Sequence, residues 1–158
     1  METMRTLLFS GVLLTGMIAC SSPSEPSGPD TDDLARELAR NQLTFQTRIG
    51  GSYRITVQNN CFCPLEVLRP VRLTVRNGAI TEAVRRSDNT ALPPAEWRAY
   101  RTVDGVFAEI SAGLRRGARR VAVDYDSRDG YPRETLIDDQ MAADAFVGFS
   151  LSDLEDLP

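Results

Sequence analysis

The chain has 158 residues, 25% of them charged, and a formal net charge of −4 at pH 7. Histidine is absent, which excludes nucleophilic sites of the Ser-His-Asp or Cys-His type and removes the commonest zinc ligand. The mildly acidic balance also argues against nucleic acid as a partner.

The charge is divided unevenly along the chain. Residues 53–86 hold six arginines against two glutamates, a net of +4, whereas residues 121–158 hold two arginines against ten acids, a net of −8. Two interpretations stay open at this point. The two segments are neighbours that offset each other within one domain, or they form a dipolar surface that orients a partner.

The N-terminal segment has the pattern of a lipoprotein leader. Arg5 precedes an apolar run over residues 7–18, which is shorter than the roughly 20 apolar residues that span a bilayer and has the length of a signal-peptide core. The run ends in Ala19-Cys20, which resembles the lipobox of bacterial lipoproteins and implies lipidation of Cys20. We predict a signal peptide over residues 1–19; the alternative is an ordinary secretory signal with a chance cysteine.

Residues 20–32 are predicted to form a lipidated, disordered tether. The segment consists almost entirely of Ser, Pro, Gly and acidic residues, which cannot bury enough apolar surface to fold. Cys20 would then attach the chain to a membrane. Ser21, directly after it, suggests a location in the outer membrane facing the periplasm if the host is Gram-negative, and in the cell envelope in any case.

Two segments have helical periodicity. Residues 31–48 are predicted to form the first helix, with Thr31 as its cap and Gly50-Gly51 after its end. Residues 102–116 are predicted to form the second, capped by Thr102 and closed by arginines before a glycine. The apolar face of the first holds Leu34, Leu38 and Phe45, and that of the second holds Val103, Phe107, Ile110 and Leu114.

Six segments have the alternating pattern of half-buried strands. They are residues 53–57, 71–75, 80–84, 121–125, 133–138 and 147–151. The order α-β-β-β-α-β-β-β predicts an α+β fold, in which two helices cover one face of an antiparallel sheet. Residues 33–158 would form this single domain, and the order also allows a tandem repeat of two halves.

Asn77-Gly78 is the strongest hairpin signal in the chain. A two-residue turn there pairs Val75 with Ile80 and Val71 with Val84. The same register puts Glu82 opposite the apolar Leu73, which is a flaw in the predicted pairing. Residues 86–101, which contain two prolines, are predicted to be a connecting loop.

Cys61 and Cys63 are the thiols that remain if Cys20 carries lipid, and an oxidising compartment favours their pairing. In an extended strand their Cα atoms would lie about 6.6–6.8 Å apart, at the limit for a disulfide. The turn formers Asn59, Asn60 and Pro64 can bend the chain and shorten that distance. We predict a disulfide; a redox-active pair, free thiols and a thiolate metal site are the alternatives.

Two further groups of polar residues are weaker candidate sites. Asp124, Asp126 and Asp129 are predicted to form an acid-rich hairpin turn, and a calcium loop, which they fit only in part, is the alternative. Arg54, Arg72 and Arg76 occupy outward strand positions. They form either a solvated face or a basic stripe that docks an anionic partner.

Several motifs together resemble a family of small bacterial lipoproteins known only as a domain of unknown function. They are Cys61-Phe62-Cys63-Pro64, Asn77-Gly78, Gly130-Tyr131-Pro132 after Tyr125-Asp126, and a late acidic segment near Asp144. The similarity covers residues 45–155. It implies a lipid-anchored domain outside the cytoplasm and supplies no catalytic residues.

We therefore expect a non-enzymatic binding or accessory module of the cell envelope that needs no cofactor. Its partners would be the membrane, through Cys20, and an envelope protein. One alternative is a periplasmic thiol-disulfide or other enzyme centred on Cys61 and Cys63. Another is an inhibitor-like domain that binds a secreted enzyme.

Overall fold

The computed structural model describes residues 30–139 and 146–158. The predicted signal peptide, Cys20, most of the predicted tether and Asp144 lie outside these residues. The described elements, in chain order, are α1 (Thr31–Arg48), β1 (Tyr53–Cys61), β2 (Val71–Arg76), β3 (Ala79–Arg85), a 3-10 helix (Pro94–Ala99), α2 (Val103–Arg115), β4 (Arg120–Tyr125), β5 (Pro132–Asp138) and β6 (Phe146–Asp156). Within this part of the chain, neither helix is long and apolar enough to cross a membrane.

The strands form one antiparallel sheet in the order β3-β2-β1-β6-β5-β4, and both helices lie on it. The predicted α+β class and element order are confirmed. The two halves of the chain have the same strand order within the sheet, β3-β2-β1 followed by β6-β5-β4, as the tandem arrangement predicts. Because every neighbouring pair is antiparallel, β1 and β4 run in opposite directions, so the second half is not a simple translated copy of the first. β1 pairs with β6 at the centre, and β4 lies at the edge.

An aromatic cluster joins the two helices to the sheet. The ring of Phe45 on α1 lies 5.4 Å from that of Tyr53 on β1 and 6.1 Å from that of Phe107 on α2. The backbone N–H of Val103 donates to the Tyr53 hydroxyl at 2.9 Å, so this strand also binds the first residue of α2. Burial raises the pKa of Tyr53, which is fully covered by the helices.

The ends of the helices follow the sequence signals in all but one place. Thr102 caps α2, since its hydroxyl accepts from the backbone N–H of Gly105 at 3.1 Å. α1 ends as predicted, and Gly50 after it adopts φ +72°. The predicted Thr31 cap is wrong, because Thr31 is already helical and the cap position belongs to Asp30, whose side chain makes no capping hydrogen bond.

The β2–β3 hairpin corrects the predicted register. Val75 pairs with Ile80 as expected, but a bulge between Thr74 and Val75 shifts all later pairs. Val71 therefore faces Arg85 and not Val84. The shift also removes the predicted flaw, because Glu82 moves opposite Thr74 and accepts a hydrogen bond from its hydroxyl at 3.0 Å.

The connection predicted as a loop over residues 86–101 contains the 3-10 helix and packs against the sheet. Leu92 and Tyr100 are buried, and the indole N–H of Trp97 donates to the Leu92 carbonyl at 2.9 Å. The side-chain amide of Asn59 donates to the carbonyls of Val67 and Ala99, both at 3.1 Å. This amide fixes two irregular segments to the end of β1.

Candidate functional site

Cys61 and Cys63 form a tight turn at the end of β1. Their Cα atoms lie 5.3 Å apart, within the range of disulfides, and the structure places their sulfur atoms at disulfide distance. The backbone N–H of Cys63 donates to the Cys61 carbonyl at 2.9 Å, which makes a three-residue turn. The bend expected from the surrounding turn formers is therefore present, and Phe62 occupies its apex.

This turn lies at one end of the sheet, which we call the cysteine end. Backbone pairing runs across this end from Cys61 to Val147, Ile137 and Val121. The first residue of α1, Thr31, lies at the same end, because it lines one open groove of about 590 Å³ with Arg120, the first residue of β4. The described chain thus begins at the end of the sheet that holds the cysteine turn.

Most of the exposed large apolar side chains in the described residues lie at the cysteine end. Phe62 is 87% exposed, Leu65 is 73% exposed, and Phe146 and Val147 are 39% and 38% exposed. The fifth, Leu43, lies on α1. Because several large apolar side chains are exposed at one end of the domain, this end is a candidate interaction surface. Sequence reasoning missed Phe62 and Leu65, and the available signal was two large apolar residues among turn formers.

The three arginines of the predicted basic stripe lie on the sheet face opposite the helices, which we call the open face. Arg54 pairs with Glu155 at 2.9 Å, and Arg76 donates to the Pro158 carbonyl at 2.7 Å. The Nε atom of Arg72 is buried without a hydrogen-bond partner. The stripe is therefore partly neutralised by the end of β6, and the two oppositely charged segments of the sequence are neighbours here.

The three acids of the predicted calcium loop each have another partner. Asp126 accepts from the backbone N–H groups of Arg128 and Asp129 at 3.0 and 2.7 Å. Asp129 pairs with Arg48 at 3.1 Å. Asp124 pairs with Arg133 at 2.6 Å. Among residues 30–139 and 146–158, no group of three or more acidic, cysteine or histidine side chains is arranged to hold a metal ion. In this structure the three carboxylates stabilise a turn, and the calcium site stays a prediction.

Asp104 lies where α1 and α2 meet, in the first turn of α2. Desolvation raises the pKa of its carboxyl group, and a hydrogen bond with Gln46 of α1 opposes that rise. A carboxyl group with a raised pKa is a candidate acid in an enzyme. Here the shift has a structural cause, because the contact between the helices removes the group from water.

Residues 37–156 match the family described as a family of unknown function, DUF6174. The chain belongs to this family. The match extends from within α1 to the last residue of β6 and includes every strand, so it covers most of the described fold. No curated protein and no solved structure matches the chain.

Proposed function

We propose that this DUF6174 chain is a lipid-anchored, non-enzymatic binding or accessory module of the bacterial cell envelope. The observation that carries the proposal is the arrangement of the three cysteines. Cys20 directly follows an apolar leader, whereas Cys61 and Cys63 lie at disulfide distance in the folded domain. Paired cysteines are typical of compartments outside the cytoplasm. A lipidated Cys20 would hold the domain there, in the outer membrane facing the periplasm of a Gram-negative host.

A binding role is supported by the way in which the polar side chains are used. The acids of the β4–β5 turn and the arginines of the open face are largely occupied by structural contacts. The chemistry we propose requires no cofactor and no nucleic acid. The open face is not covered by either helix, and it is the surface on which we expect an envelope protein to dock.

The anchor is tested by feeding the native host a fatty acid that carries an alkyne. The wild-type protein should incorporate the label, and Cys20→Ala should abolish incorporation because the cysteine that follows the leader is gone. The matched control is the double variant Cys61→Ala with Cys63→Ala, which removes the other thiols and should keep the label. A labelled Cys20→Ala protein, or an unlabelled wild type, would disprove the anchor.

A further inference from the structure

We propose that the Phe62 turn is a second membrane contact, with Phe62 and Leu65 entering the lipid interface beside the anchor. The inference rests on the lipid anchor proposed above. Phe62 and Leu65 are the most exposed large apolar side chains of the described residues. The anchor alone does not explain their exposure, and a lipid contact would give them a role. The occupant that we infer for this surface is the bilayer that holds Cys20.

The first argument is the position at which the chain enters the fold. Only nine residues lie between Cys20 and Asp30, so the ten steps between their Cα atoms span at most about 33–36 Å at full stretch. Because α1 begins at the cysteine end, this end is the part of the domain that the anchor holds nearest to the bilayer. The opposite end lies a further 30 Å or so away, the length of the nine residues of β1. Presenting it to the lipid would require a nearly straight tether, which loses chain entropy.

The second argument is the chemistry and rigidity of the turn. Phenylalanine and leucine are the side chains with which interfacial segments enter the acyl boundary of a bilayer. The backbone hydrogen bond from Cys63 to Cys61 already fixes the turn, so little freedom is lost when its apex is buried. Val147, which pairs with Cys61 on the neighbouring β6, adds exposed apolar surface at the same end of the sheet.

The third argument is the charge that borders the turn. Arg69 lies in the loop that follows Leu65, and the backbone N–H of Arg86 donates to the Pro70 carbonyl at 3.0 Å, so both arginines lie beside that loop. Both are exposed, and neither has an ion-pair partner in the described part of the chain. Guanidinium groups beside an apolar turn can bind the phosphate groups of lipid headgroups. The exposed Glu66 of the same loop offsets one of these charges, so the border of the turn keeps a net charge of +1. A border of this sign suits anionic lipid headgroups.

The test uses the lipidated mature protein in vesicles whose lipids carry bromine on the acyl chains, which quenches nearby tryptophan. Phe62→Trp places the probe at the apex of the turn. Leu43→Trp is the matched control, because Leu43 is 65% exposed but lies about 18 Å along α1 from Thr31. The wild type, with its single Trp97, gives the baseline. We expect the brominated lipids to quench most of the tryptophan fluorescence that Phe62→Trp adds to the wild-type signal. They should quench little of the fluorescence that Leu43→Trp adds.

The outcomes separate this proposal from the anchor. If the protein does not float with the vesicles and carries no acyl chain, the anchor fails and the turn contact falls with it. If it floats but both added tryptophans are quenched equally little, only the turn contact is overturned. If the apex is shielded only when native membrane proteins are present, the turn docks a protein and the lipid contact is likewise overturned.

Discussion

Replacing Phe45 by alanine should lower the free energy of unfolding by about 3–5 kcal/mol. The side chain is fully buried, and its ring contacts both Tyr53 and Phe107, so it joins α1 to the sheet and to α2. The loss combines the transfer free energy of a large apolar side chain with the cost of the cavity left at this junction. The measurement is urea unfolding of the oxidised protein, followed by circular dichroism.

The control for this variant lies two residues earlier on the same helix. Leu43 is exposed, so Leu43→Ala should change the free energy of unfolding by no more than about 0.5 kcal/mol. Both substitutions replace a large apolar residue by alanine in α1, and they differ in burial. Equal midpoints for the two variants would mean that α1 does not pack on the sheet through Phe45.

The second large effect is expected for Gly130→Ala in the turn between β4 and β5. Gly130 adopts φ +75°, and a Cβ there would lie 2.6 Å from the carbonyl oxygen of Asn41 and 3.0 Å from the Cβ of Thr44. A left-handed conformation costs a residue with a Cβ about 1–2 kcal/mol, and overpacking adds about 1–3 kcal/mol. We expect a total loss of about 2–5 kcal/mol, measured by the same urea unfolding.

Gly78→Ala separates the two causes of that loss. Gly78 has nearly the same φ, +77°, but a Cβ built on it meets no atom within 4 Å. Its replacement should therefore show the conformational cost alone, about 1–2 kcal/mol. If Gly130→Ala were no more destabilising than Gly78→Ala, the close approach of the turn to α1 would be refuted.

Local signals predicted the helices well because their causes are local. The bounds of α1 follow from the apolar periodicity of the segment and from Gly50 after it, and Thr102 caps α2 as its position suggests. The register of β3 could not be predicted in the same way. Asn77-Gly78 determines the turn but not the bulge beyond it, which depends on Ala83 packing opposite Leu73 in a core that the whole chain forms.

Site features with local causes could likewise be predicted from the sequence, whereas those that depend on distant residues could not. The bend at Cys61 and Cys63 was predictable, because turn formers surround the pair. The partners of Arg54 and Arg76 were not, since Glu155 and Pro158 come from the far end of the chain and reach the open face through the pairing of β1 with β6. For the same reason the sequence could not place Phe62 and the start of α1 at one end of the sheet.

The intact mass of the protein purified from membranes of its native host tests the central claim most directly. The proteins should be alkylated before any reduction, so that free thiols are also counted. The account predicts a chain that begins at an acylated Cys20 and resists alkylation at Cys61 and Cys63. A chain that retains residues 1–19, carries no fatty acid and is alkylated at all three cysteines would contradict it.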